Sequence, residues 1–168
     1  MKPNFRFPSF LIAFLLFMLV QTAIAQEKPP IPITVEVNTS QNLNFGSFTV
    51  GVTGGTVSVD YNSTRTSTGD VFELNMGASP SAALFDVTAN PGTIIQISAP
   101  TNIPLTGSNG GVIYLDINSF STGQLFISTA TPPNVNSVYV GGTLTIPANT
   151  NNLPGQYNGN FTLTFIHQ

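Results

Sequence analysis

Apolar and polar residues alternate with a period of two along much of this chain, most regularly in residues 155–166, GQYNGNFTLTFI. Tyr157, Phe161, Leu163 and Phe165 fall on one parity, and Asn158, Asn160, Thr162 and Thr164 on the other. A strand needs this period when one face packs on a core and the other meets water. Burying Phe161, Leu163 and Phe165 stabilises by about 2 kcal/mol each before chain entropy is subtracted. The stretch predicts one continuous core strand.

Similar patterns recur upstream. Ile31, Ile33, Val35 and Val37 alternate with Pro32, Thr34 and Glu36, and the proline confines the start of that strand to an edge or its first residues. Leu43-Asn44-Phe45-Gly46 is a short apolar pair ended by glycine. Phe48, Val50 and Val52 alternate, Thr53-Gly54-Gly55 predicts a turn, and Val57, Val59 and Tyr61 return, so a hairpin is expected here. Residues 62–70 are polar and predict a loop carrying Arg65. Short strands follow at 71–76, at 82–89 with Phe85 and Val87 inward, and at 93–98 after the turn signal Asn90-Pro91-Gly92. Residues 100–111 read as a connection, 111–117 as a strand with both faces partly covered, and 124–128 as a short strand. Residues 138–146 read as one strand with a glycine bulge at Gly141-Gly142, and 147–155 as a turn. The double glycines Gly54-Gly55, Gly110-Gly111 and Gly141-Gly142 each precede an alternating apolar run, and the likeness of GGTVSV and GGTLTI reads as reused turn chemistry rather than a true repeat. Eight to ten short strands at roughly 8–12-residue spacing predict an all-β, antiparallel sandwich.

The first 25 residues break the pattern. Lys2 and Arg6 precede the apolar run FLIAFLLFMLV at 10–20, and Ala23-Ile24-Ala25 supplies small residues at a cleavage site. This predicts a signal peptide over 1–25, since the run falls short of the about 20 residues that span a bilayer. Export to the periplasm, cell surface or medium follows, with no stable membrane insertion after cleavage. Of the 168 residues, 143 would remain as a single β-sandwich domain over 26–168, opening on the extended, proline-rich QEKPPIP.

That domain keeps two cations, Lys28 and Arg65, against seven acids, a net charge near −5. Nucleic acid is excluded as a partner, because binding it needs clustered cations to displace counterions. With no cysteine in the chain, disulfides and thiolate metal sites are excluded. The one histidine, His167, is next to last, and no nucleophile–base, zinc or phosphate-cradling motif is present. Asp60, Asp70, Glu73, Asp86 and Asp116 are isolated in sequence. The expectation is a protein without catalytic residues, cofactor or metal. A carbohydrate-binding module with a self-complete sandwich is the alternative. It would need exposed aromatic platforms from Tyr61, Tyr114, Tyr139 or Tyr157, the chain having no tryptophan.

Leu43-Asn44-Phe45-Gly46, Gly54-Gly55-Thr56-Val57, Phe85-Asp86-Val87, Gly141-Gly142-Thr143-Leu144-Thr145-Ile146 and the closing Gly155-Gln156-Tyr157-Asn158-Gly159-Asn160-Phe161 together resemble a family of exported bacterial domains of unknown function. That family looks related to spore-coat-U-type proteins and to pilins of archaic chaperone–usher pathways. The resemblance implies an immunoglobulin-like β-sandwich and a surface or fimbria-like structural or adhesion subunit. The chain departs from many such pilins in having no cysteine and hence no early disulfide. Partners would be other subunits or a periplasmic chaperone, met through strand pairing. Ile31, Ile33, Val35 and Val37 have the form of a strand-donor segment, and Tyr157, Phe161, Leu163 and Phe165 form either the wall of an accepting groove or a core strand. The competing expectation is that 31–37 is the first strand of its own domain.

Overall fold

The computed structural model describes residues 32–37, 41–148 and 153–168, which lie in one compact unit, Ile31–Gln168. The expected signal segment and Ile31 fall outside the described residues. Within them all regular structure is β, and no helix is long and apolar enough to cross a membrane. The described residues form eleven strands, more than the eight to ten expected: β1 (Thr34–Val37), β2 (Ser47–Val59), β3 (Arg65–Leu74), β4 (Ala83–Thr88), β5 (Ile94–Ser98), β6 (Ile103–Gly107), β7 (Val112–Phe120), β8 (Leu125–Ile127), β9 (Asn136–Ile146), β10 (Tyr157–Asn158) and β11 (Thr164–His167). All pairings are antiparallel. Eight strands form one sheet, ordered β1-β4-β9-β7-β6-β10, with β2 also on β9 and β3 on β2; a second sheet is ordered β11-β5-β8. Inward residues of both sheets, among them Val57, Phe85, Ile95, Ile97, Leu115 and Val138, join one hydrophobic cluster.

β9 organises the large sheet. Asn136 to Val140 pair with β4 and Gly142 to Ile146 with β2, while β7 occupies the opposite edge. At Gly141 one neighbour gives way to the next, and a Cβ there would lie 2.1 Å from the Val59 carbonyl oxygen. The expected single strand is present, but the bulge lies on its partner. Ile117 faces Gly142 and Ser119 faces Gly141, so Asn118 is extra. The inward parity of β7 accordingly shifts from Ile113, Leu115 and Ile117 to Phe120.

The hairpin expected at Thr53-Gly54-Gly55 is absent. β2 runs through these residues and pairs with β3 on both sides of them: Val50 faces Val71 and Gly55 faces Gly69, leaving residues 51–54 opposite Asp70 alone. A glycine pair suits a bulge as well as a turn, and alternation does not distinguish them. The turn lies instead at 60–64, where Asp60 Oδ1 accepts the Asn62 and Thr64 N–H groups at 2.9 and 2.8 Å. Arg65 therefore begins a strand rather than sitting in a loop. Residues 103–107, read as part of a connection, form β6, because Ile103 and Leu105 meet Leu115 and Ile113 across the ladder.

The closing stretch is not one strand. Tyr157 and Asn158 pair with β6 in the large sheet, and Thr164 to His167 pair with β5 in the small one. Residues 159–163 cross between the sheets, yet half-buried and exposed positions still alternate from Phe161 to Ile166. Burial kept the period of two while the hydrogen-bonding partner changed.

Candidate functional site

One concavity is an open groove of about 860 Å³. One wall is residues 42–50, including Phe45, Phe48 and Val50. The other is the 153–159 segment with Tyr157 and Phe161, and the floor is Leu105, Ile113, Leu115, Leu144 and Ile146. The floor residues belong to the hydrophobic core itself.

Arg65 shapes the first wall. Its side chain is 7 % exposed. Nη1 donates to the carbonyl oxygens of Phe45 at 3.0 Å and Ser47 at 3.1 Å, and Nη2 to that of Leu74 at 3.2 Å. Nε lies 3.2 Å from Glu73 Oε2, an ion pair whose N–H is not aimed at the carboxylate. Arg65 and Leu74 are the two ends of β3, and nine residues of straight strand would separate them by roughly 30 Å. The β2–β3 ribbon is therefore folded over on itself. The fold lies where Gly54 (φ +69°) approaches Gly69 (φ +72°), a left-handed backbone region that favours glycine. The Leu43-Asn44-Phe45-Gly46 motif receives the guanidinium. Asn44 Oδ1 accepts the Gly46 N–H at 2.7 Å, and a Cβ on Gly46 would lie 2.5 Å from Arg65 Nη1.

The second wall is held by its own hydrogen bonds. The Tyr157 hydroxyl donates to the Leu153 carbonyl at 2.9 Å, Asn109 Nδ2 to the Pro154 carbonyl at 2.6 Å, and the Ser108 N–H to the Gln156 carbonyl at 2.8 Å. Of the four residues expected there, Tyr157 and Phe161 line the groove, and Leu163 and Phe165 pack on the core outside it. Phe161 and Phe165 share a common partner, with ring centroids 6.2 and 6.1 Å from Phe85. Of the candidate donor residues, Ile33 is half-buried against the core and Val35 is exposed. Val35 and Val37 pair with Val87 and Phe85 at the edge of β4.

Two tyrosines form a separate, shallow depression. Tyr61 and Tyr139, both exposed, line it with Asn62, Ser63 and Ser121. Tyr114 and Tyr157 are half-buried.

The domain of unknown function DUF4402 matches residues 35–166, from within β1 into β11. The chain belongs to that family. No curated protein and no solved structure matches it. In this DUF4402 domain the isolated acids serve local structure. Asp60 caps its turn, Asp70 Oδ2 accepts the Thr53 N–H at 3.3 Å, and Glu73 faces Arg65. Asp86 Oδ1 accepts from Ser137 Oγ at 2.8 Å, and Asp116 Oδ1 accepts the Asn102 N–H at 2.7 Å. Among the described residues no three of His, Asp and Glu gather into a metal-binding group. His167 is exposed in β11.

Arg65 was missed as a structural residue by its polar surroundings in sequence. Its signal was scarcity: a lone cation amid alternating β residues, in a chain with four cations in all, marks a charge retained for interior contacts.

Proposed function

We propose that this DUF4402 domain is an exported, non-catalytic, surface or fimbria-like structural subunit with an immunoglobulin-like sandwich, related to spore-coat-U-type proteins and archaic pilins. It assembles by strand addition: residues 31–37 of one copy, as donor, occupy the groove of the next. The observation that carries this reading is that β1 and β10 are opposite ends of the large sheet's strand order, and the groove lies beside β10. A donor at one end and an acceptor at the other make a head-to-tail contact that does not close on itself, the kind that builds filaments. The groove floor is core side chain, so a strand laid there gains burial as well as backbone hydrogen bonds.

The absence of native cysteine makes a clean test. The doubly substituted V35C/V50C chain, oxidised and run without reductant, is expected to give a ladder of disulfide-linked multimers, with each single variant stopping at dimers. Monomer alone from the double variant would rule strand addition out.

The Tyr61–Tyr139 depression favours the second reading, a carbohydrate-binding module, because exposed rings beside Asn and Ser side chains suit a sugar's C–H face and hydroxyls. Retention on immobilised glycans that is lost in Tyr61→Ala would support it, and retention unchanged in that variant would remove it.

A further inference from the structure

The strap that walls the groove on one side is held by hydrogen bonds and by almost no packing. Of residues 153–160 all are exposed except Tyr157, which is half-buried. β10 pairs with β6 through two residues only, Tyr157 opposite Gly107 and Asn158 opposite Thr106. The Ser108 N–H donates to the Gln156 carbonyl at 2.8 Å, and the Gln156 N–H to Ser108 Oγ at 3.1 Å. The Tyr157 hydroxyl ties the strap to itself at the Leu153 carbonyl, and its ring lies on Gly107, where a Cβ would come within 2.7 Å of it. A segment that buries so little apolar surface opens well before the sheet beneath it.

What the strap covers is the edge of β6. The Gly107 N–H donates to the Gly111 carbonyl at 3.1 Å on the β7 side, whereas the Ser108 N–H goes to the strap. Odd residues of β6 thus turn their backbone toward β7, and even residues turn theirs toward the strap. Thr106 and Ser108 are taken by it, and Pro104 has no N–H to offer. Across the groove, Ser47 to Val50 pair with β3 on one side and, among the described residues, with no strand on the other. A strand entering the groove therefore meets an open edge at 47–50 and an occupied one at β6.

We infer that residues 153–158 are a detachable stand-in for the incoming strand, so that the donor segment of a second copy binds by displacing this strap from β6. The inference rests on the strand-addition reading and adds to it how the acceptor site is kept closed. The exchange is favoured by what each segment brings. The strap supplies one half-buried ring. The donor supplies Ile31, Ile33 and Val35 on one parity, to lie over Leu105, Ile113 and Leu115 of the groove floor. It replaces the hydrogen bonds of Thr106 and Ser108 and adds one at the Pro104 carbonyl. In a lone copy the strap keeps the β6 edge paired, which guards it against indiscriminate strand pairing.

The chain has no cysteine, so an added disulfide can lock the strap. In G107C/Y157C the two directly opposed positions join β10 to β6 when oxidised and release it when reduced, and the ring that a Cβ at 107 would strike is gone. The probe is a labelled synthetic peptide with the sequence of residues 26–38, titrated against the full chain and followed by fluorescence anisotropy. Oxidation is expected to weaken peptide binding about tenfold or more relative to the same protein reduced. Tyr157→Phe removes the tie to Leu153, so less of the peptide's affinity is spent on opening the strap, and binding is expected to tighten about threefold. A groove that was merely damaged would bind more weakly, so the sign separates the two effects. Equal binding by the oxidised and reduced forms overturns displacement while leaving strand addition standing. No binding even by the unsubstituted chain ends strand addition and this inference with it. Should G107C/Y157C fail to fold, or bind in neither state, Y157F decides: an affinity equal to or below that of the unsubstituted chain overturns the inference.

Discussion

At Arg65 a single side chain fixes the shape of a whole ribbon. It satisfies three carbonyl oxygens, at Phe45, Ser47 and Leu74, from two separate places in the chain. Each is a charge-assisted bond in a half-buried setting, so its loss costs more than an exposed pair would. Arg65→Met keeps much of the apolar stem but strands the carbonyls and leaves Glu73 without its partner. It is expected to lower unfolding free energy by about 3 kcal/mol in urea titrations. Arg65→Lys keeps the charge without the planar fork, and a single ammonium cannot reach all three oxygens in that geometry, so it is expected to recover less than half of the loss. Full recovery by lysine would mean that charge alone, and not the forked geometry, holds the ribbon folded. Because the same contacts position Phe45 and Phe48, the arginine variants are also expected to loosen the groove wall.

Between strands, alternation reports which face a residue shows and is silent about its hydrogen-bonding partner. Phe85 and Val87 on β4, and Ile113, Leu115 and Ile117 on β7, point inward as their parity requires. From Phe161 to Phe165 the same holds, although the tail changes sheets beneath an unbroken pattern. Glycine was ambiguous for a related reason. Gly54-Gly55 and Gly141-Gly142 look alike in sequence, but one allows a ribbon to fold over and the other allows β2 to replace β4 beside β9. Both are close backbone approaches set by residues far along the chain: Gly69 in one case and Val59 in the other. The strand β6 escaped notice because proline interrupts it and only two apolar residues mark it. Tyr157 and Phe161, expected in a groove wall or a core strand, line the concavity, and their parity alone does not separate those two settings. Phe45, Phe48 and Val50 carry no such sequence mark, because they face the concavity only once Arg65 has folded the ribbon.

For the molecule as a whole, stability is distributed unevenly, and this bears directly on assembly. β9 is paired along both edges, by β4 and β2 on one side and β7 on the other, and Val138, Val140, Leu144 and Ile146 on it are buried. Its amides become accessible only when the large sheet comes apart. β1 is four residues long, bonded along one edge, with Thr34, Val35 and Glu36 exposed. Little apolar area is re-exposed when it leaves β4, so its opening free energy lies near the bottom of the range that local fluctuations span. Strand donation requires this, because a segment that opened only with global unfolding could not transfer between folded copies. Native-state hydrogen exchange of the full chain is expected to show the β1 amides bonded to β4 exchanging about 100-fold or more faster than those of β9, with β10 nearer β1 than β9. Equal protection in β1 and β9 would tie the first strand to the core as firmly as the hub is tied. Strand addition through residues 31–37 would then be closed to the folded protein.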